Sequence, residues 1–175
     1  MAGQRLTDKT ALEEQLGSGD LLLVVDVNDT TGSAEGTSKK YDAKFLMQTD
    51  KFSLTNAEIK ALDSTPKTLV GALSGYYINV FQVTIFATYA SATESSSKDL
   101  ELTYDTSSTG VYTIIRDCMN GKTTDITFVT NTSGSSNGAC DTSILNKPFL
   151  MTSNGAFNGG WSAEVYVTYN YVKVL

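Results

Sequence analysis

The sequence predicts a mainly β protein: an antiparallel β-sandwich, jelly-roll-like, behind a small N-terminal helix–hairpin module. Three observations predict it. The chain closes on WSAEVYVTYNYVKVL, where Trp161, Ala163, Val165, Val167, Tyr169, Tyr171 and Leu175 alternate with Ser162, Glu164, Thr168 and Asn170. Period two marks a strand with one buried and one wet face. Residues 76–90, YYINVFQVTIFATYA, form an equally long run that is apolar at both parities. Such a strand is covered on both sides, by its own fold or by a neighbouring subunit. Beyond Pro66, shorter apolar runs are broken by turn residues at Ser107–Gly110, Asn120–Gly121, Ser133–Gly138 and Asn158–Gly160, the punctuation of sandwiches.

The elements follow in order. In TALEEQLG, Thr10 and Glu13 form a capping-box pattern, Gly17 is a stop, and Leu12 and Leu16 share a face, predicting a helix of about two turns that needs docking to be stable. An apolar strand, Leu21 to Val25, and a polar one, Thr37 to Tyr41 with Lys39 and Lys40, then flank a turn-rich stretch as a hairpin. A second short helix is expected over Asp42 to Met47. A third is signalled by TNAEIKAL, where Thr55 and Glu58 make a capping box and Ile59 and Leu62 face inward. DLELTY, VYTII, TDITFV and PFLM read as short strands. The closing strand would span roughly 45 Å at ~3.4 Å per residue, so it bends at a bulge or crosses a whole sandwich. Residues 1–50 are thus expected to form the N-terminal module and residues 51–175 the sandwich. Leu21, Leu22, Leu23, Val24 and Val25 cannot all face inward within one hairpin. One face is expected to meet another subunit or another protein, as an anchoring interface.

Composition excludes several roles. Of the 175 residues 41% are hydrophobic and 18% charged, enough apolar matter for a core. Net charge is −6, and no basic cluster exceeds the pair Lys39–Lys40, which argues against a nucleic-acid backbone as partner. No apolar run approaches the ~20 residues needed to span a bilayer. The start, MAGQRLTDKT, lacks the apolar core of a signal peptide, so synthesis in, and initial retention by, a cytoplasm is expected. The absence of histidine removes Ser-His-Asp and Cys-His devices and most zinc sites. No nucleophile, base and oxyanion set assembles from the spacing. The expectation is a non-enzyme with no catalytic residues, no cofactor and no metal. Cys118 and Cys140 read as free, mostly buried thiols, with a bridge formed after release from the cell as the alternative.

Several motifs have simpler accounts. RDCMNGKTT has Arg116 where a phosphate loop needs glycine, and a type I′ hairpin turn at Asn120–Gly121 accounts for it better. DVNDTTG begins like a calcium loop at Asp26 and Asn28, yet Thr30, Thr31 and Thr37 stand where a ligand, a glycine and a glutamate are wanted. The triplets at Asn28 and Asn131 match the glycosylation pattern by chance. Asp99 and Glu101 read as a solvated strand face. Tyr76 and Tyr166, on the long strands, are candidates for stacking on a sugar face, against ordinary strand packing.

The stretch GDLLLVVDVNDTTGSAEGTSKKYDAKFL resembles the N-terminal segment of fibre and accessory proteins of tailed bacteriophages. The pattern there is a short helix, an apolar strand, a Gly/Ser/Thr loop, a Thr-Lys-Lys strand and a second short helix. These correspond to Thr10–Leu16, Asp20–Asp26, Asn28–Gly36, Thr37–Tyr41 and Asp42–Met47. FSLTNAEIKALDSTPKTLVGALSGYYINV, NKPFLM and GGWSAEVYVTYNYVKVL are similar to the opening and closing strands of β-sandwich domains in phage structural proteins. The resemblance implies a virion surface protein, assembled as a homotrimer and attached to capsid or tail proteins. A long shaft between the two parts is missing, which favours a head fibre, a capsid decoration or a short tail-side adaptor over a long tail fibre. The alternative it implies is a tail-fibre or receptor-binding protein that contacts host surface glycans.

Overall fold

The computed structural model describes residues 19–105, 111–130 and 144–173. The helix expected at Thr10–Leu16, the turns at Ser107–Gly110 and Ser133–Gly138, Cys140 and Leu175 lie outside them. The chain divides into two compact units, Met1–Lys44 and Phe45–Leu175.

In the first unit, β1 (Leu21–Asp26) pairs antiparallel with β2 (Thr37–Asp42) in unbroken register from Leu21 opposite Asp42 to Asp26 opposite Thr37. The expected hairpin is present. The helix expected over Asp42–Met47 shrinks to one 3-10 turn, Ala43–Phe45, because Gln48 already belongs to the next strand.

The second unit is built from β3 (Gln48–Leu54), β4 (Lys67–Val70), β5 (Tyr76–Tyr89), β6 (Leu100–Tyr104), β7 (Val111–Ile115), β8 (Ile126–Thr130), β9 (Phe149–Ser153) and β10 (Trp161–Lys173). One four-stranded sheet has the order β3-β10-β5-β8 and the other β4-β9-β6-β7, with every pairing antiparallel. Counted within the unit, the first strand pairs with the last, the second with the seventh, the third with the sixth and the fourth with the fifth. Those are the pairings of one long hairpin rolled across two sheets, which is the jelly-roll connectivity. Because β3 pairs with β10 from Gln48 onward, the unit boundary falls between Lys44 and Phe45, ahead of the expected boundary at residues 50 and 51.

The sheets close on a single core. Leu54, Ile78, Val80, Val83, Ile85, Ala87, Val165 and Val167 come from one sheet and Leu69, Leu100, Leu102, Phe149 and Met151 from the other, all buried in one cluster. Tyr104, on β6, donates its hydroxyl to the Ile78 carbonyl of β5 at 2.8 Å, a hydrogen bond from one layer to the other. Between β3 and β4 sits α1 (Asn56–Lys60), with the expected capping box. The Thr55 side chain accepts the Glu58 amide, and the Glu58 carboxylate accepts the Thr55 amide at 2.8 Å. Ile59 and Leu62 are buried beneath it.

The alternation read in β10 is observed: Trp161, Ala163, Val165, Val167 and Tyr169 are buried and the residues between them are not. The structure gives the doubly apolar character of β5 a cause within the strand itself. Thr168 lies opposite Gln82 but Tyr169 lies opposite Val80, so Phe81 is an extra residue in β5. This bulge shifts the phase by one: Ile78 and Val80 point inward before it, and Val83, Ile85 and Ala87 after it. The outer face of β5 is open in this chain, with Phe81 and Phe86 exposed there. The type I′ hairpin turn at Asn120–Gly121 is not observed. The connection from β7 to β8 crosses between sheets, Gly121 has φ +68° while Asn120 lies outside the left-handed region, and Asn120 forms a bridge with Glu94.

Candidate interaction surfaces

Apolar residues of β1 fall on both faces of the hairpin. Leu21, Leu23 and Val25 share one face with Asp42, Lys40 and Ser38, and are 57%, 80% and 57% exposed. Leu22 and Val24 share the other with Tyr41 and Lys39. Leu22 is half-buried, while Val24 and Tyr41 are exposed. A two-stranded sheet has no interior in which to hide these side chains. Sequence spacing alone places the five candidate residues on their two faces; it does not say which face stays open.

The calcium-like tip of this hairpin carries its own cation. Lys39 Nζ stands 2.8 Å from both Asp26 Oδ2 and Asp29 Oδ2. The Asp26 side chain also accepts the Asn28 amide, and the Asp29 side chain accepts the amide and hydroxyl of Thr31. The Lys39 hydrogen bonds hold both carboxyls below their ordinary range and raise the lysine. The ammonium takes the place that a bound cation would fill. Among the described residues no group of three His, Cys, Asp or Glu side chains could hold a metal ion.

The outer face of the β3-β10-β5-β8 sheet is the second surface. Tyr166 lies on it between Lys51 of β3 and Thr84 of β5. The Phe86 ring meets it edge-on at 5.7 Å and 88°, and the Lys51 ammonium stands 5.6 Å from its centroid. Lys51 pairs with Glu164 at 2.6 Å, which raises the lysine and lowers the carboxyl. Phe86 and Val129 are 44% and 53% exposed, and Thr49, Thr168, Gln82 and Thr84 supply neutral hydrogen-bonding groups beside them. Tyr76 is elsewhere. It has the inward parity of Ile78, lies opposite Lys173, stacks on Phe45 at 5.3 Å and meets Tyr171 edge-on. The structure places the two tyrosines on opposite faces of one sheet, and no single ligand surface contains both.

One buried group had no sequence signal. Glu94 lies in the polar stretch SATESSSKD, yet it is 1% exposed. Its carboxylate accepts the amides of Ser96, Asn158 and Gly159 at 2.8, 2.9 and 2.7 Å, and its carbonyl accepts the Gly121 amide. Burial opposes the charge, but hydrogen bonding from Ser96, Gly159 and Asn158 outweighs it and holds the carboxyl below its usual range. Asp99, read as part of a strand face, instead belongs to this loop cluster. It accepts the Asp117 amide and the Asn154 side chain. Cys118 is a buried free thiol in an apolar lining with Ile85, Leu100, Phe128 and Met151, and burial pushes its pKa up to about 11.

No family model matches the chain, and no curated protein matches it. Among solved structures it is similar to the crystal structure of Israel acute Paralysis Virus, at 10% identity over 95% of this chain and 97% of that one, with a TM-score of 0.25. At that score the likeness carries no argument, and the fold rests on its own strand pairings.

Proposed function

We propose that this chain is a non-enzymatic structural protein of a tailed-phage particle, a head fibre or capsid decoration displayed on the virion surface as a homotrimer. The observation that carries the reading is the exposed apolar face Leu21, Leu23 and Val25 on a hairpin that, among the described residues, forms no buried apolar cluster. The sandwich has a closed core of its own, whereas the hairpin gains its stability by docking. The hairpin is therefore the attachment element, buried among copies of the chain and a capsid or tail protein. The sandwich is the displayed part. Leu23→Asp tests this: at 80% exposure the substitution leaves the fold intact, and it is expected to abolish incorporation into particles. Normal incorporation of the variant would overturn the reading. Release of reducing ends from a host polysaccharide by the purified protein would overturn its non-enzymatic part.

A second reading, a tail-fibre or receptor-binding protein that contacts host surface glycans, is favoured by the Phe86–Tyr166 pair on the outer sheet face. Aromatic rings among neutral hydroxyls and amides suit stacking and hydrogen bonding to sugars. Host-cell binding that is lost in a Phe86→Ala, Tyr166→Ala double variant would select this reading. Unchanged binding would remove it.

A further inference from the structure

Each sheet of the sandwich ends in two edge strands, and an edge strand offers unpaired amides and carbonyls to any passing strand. Folded proteins blunt such edges with charges, inward-pointing charged residues, prolines or bulges. Three of the four edges here carry such a device. On β3, Lys51 points outward and Asp50 inward, where it accepts the Tyr169 hydroxyl at 2.8 Å. On β4, Lys67 follows Pro66, and the register breaks at Leu69, which is extra between Thr68 and Val70. On β7, Tyr112 is the extra residue between Thr113 and Val111.

The fourth edge, β8, carries none. Ile126, Thr127, Phe128, Val129 and Thr130 include no charge and no proline, and they pair with Val83–Ala87 without a register shift. Among the described residues no strand lies on the other side of β8. The stretch of β5 that β8 leaves uncovered is guarded by the bulge at Phe81. The outward side chains of β8 are Thr127 and Val129, both exposed, and they continue the row that contains Phe86.

We propose that the free edge of β8 pairs antiparallel with β8 of a second copy of this chain, across a two-fold axis at Phe128. Main-chain donors and acceptors in an extended row are satisfied by another extended strand. A second copy fits for two reasons. A neutral strand meets no like charge in its own copy, whereas self-pairing through β3 about its centre would set Lys51 opposite its twin. In the proposed register Thr127 of each copy faces Val129 of the other, so the exposed apolar row runs unbroken across the axis. The product is one continuous eight-stranded sheet. A five-residue pairing buries far less than the about 1,200–2,000 Å² of a stable interface. It is therefore concentration-dependent: it is populated at high chain concentration, and more so where copies are tethered together.

The contact is distinct from the proposed three-fold assembly through the hairpin, and the two are separable by mass. Light scattering is carried out on the full chain at its highest soluble concentration, on the T127K/V129K variant, and on T127K/V129E. In the proposed register the first variant sets ammonium groups opposite one another across the axis. The second sets each ammonium opposite a carboxylate. The wild type is expected at an even multiple of the 18.8 kDa chain, T127K/V129K at half that mass, and T127K/V129E at the wild-type mass again. A six-chain wild type that falls to three supports both proposals. A two-chain wild type that falls to one supports β8 pairing and removes the trimer. A three-chain wild type unmoved by T127K/V129K overturns β8 pairing and leaves the trimer standing. A wild type that stays monomeric overturns both. Both substituted positions are exposed, and unchanged thermal unfolding of the variants separates dissociation from misfolding.

Discussion

Glu94 Oε2 accepts the amide of Gly159 at 2.7 Å, across 65 positions of sequence. Together with the Asn158 and Ser96 amides, this bond turns a buried carboxylate into a clasp. The clasp joins the loop after β5 to the loop before β10, while the Glu94 carbonyl holds Gly121 in the loop between β7 and β8. Glu94→Gln keeps the shape but sets an NH₂ against a backbone amide. It is expected to cost about 1–3 kcal/mol in denaturant unfolding. An unchanged midpoint would show that the clasp contributes nothing.

The same group makes stability pH-dependent. Its folded pKa lies below the ordinary value of 4.5, so its contribution is complete above that value and is lost as pH falls through the lower, folded one. The wild type should lose stability faster than Glu94→Gln over that acid range. Thermal unfolding of the two proteins from neutral to acid pH reads the difference directly, and parallel curves would refute it.

Cys118 should be chemically silent in the native protein. With its pKa pushed up to about 11 and its side chain among apolar residues, thiolate is scarce at neutral pH and hard to reach. Alkylation followed by mass spectrometry of the Cys118 peptide should show modification in denaturant and almost none without it.

Phe81 should be dispensable both as a side chain and as an extra residue. Phe81→Ala, at a 41% exposed site, is expected to cost at most about 1 kcal/mol. Deleting Phe81 removes the extra residue and leaves an unbroken alternation in which Ile78, Val80, Val83, Ile85 and Ala87 all still point inward, opposite the same β10 residues. Circular dichroism and solubility should show both variants folded, and an unfolded or aggregated deletion would show that the bulge itself is required.

Thr55→Ala removes the side-chain half of the cap on α1 and is expected to cost about 1 kcal/mol in chemical unfolding. It also weakens the setting of Glu58, whose carboxyl is lowered to about 2, first by Lys67 and then by Thr55. NMR titration of Glu58 should therefore show a higher pKa in the variant.

Legibility in the sequence followed the balance between local and long-range causes. The parity of β10 was readable because nearly all its inward positions are apolar, and α1 because its cap is written within four residues. The strands β3 and β4 were not. Inward on β3 are Gln48, Asp50, Phe52 and Leu54, so half of the inward parity is polar, and Asp50 is tolerated because the Tyr169 hydroxyl reaches it from β10. The four residues of β4 are too few to show a period. The apolar run of β5 was visible, but the bulge that explains it is defined only against β10. For the interaction surfaces, the five residues of β1 were legible as surplus hydrophobicity. The open edge of β8 was not, since being an edge is a property of the sheet, and neither was the burial of Glu94 among amides that lie far along the chain.

The rolled connectivity also sets an order of events during synthesis. Leu54 is opposite Ala163 and Gln48 opposite Tyr169, so the first strand of the sandwich leaves the ribosome long before its partner exists. The central strand β5 must likewise wait for β10 along its whole length. Until β10 emerges, the sheet that carries half of the core lacks the strand that both β3 and β5 pair with, and closure is dominated by contacts distant in sequence. Closure of the sandwich therefore waits for β10, and strands left unpaired until then need shielding. A chain cut short within β10 forfeits the fold as a whole.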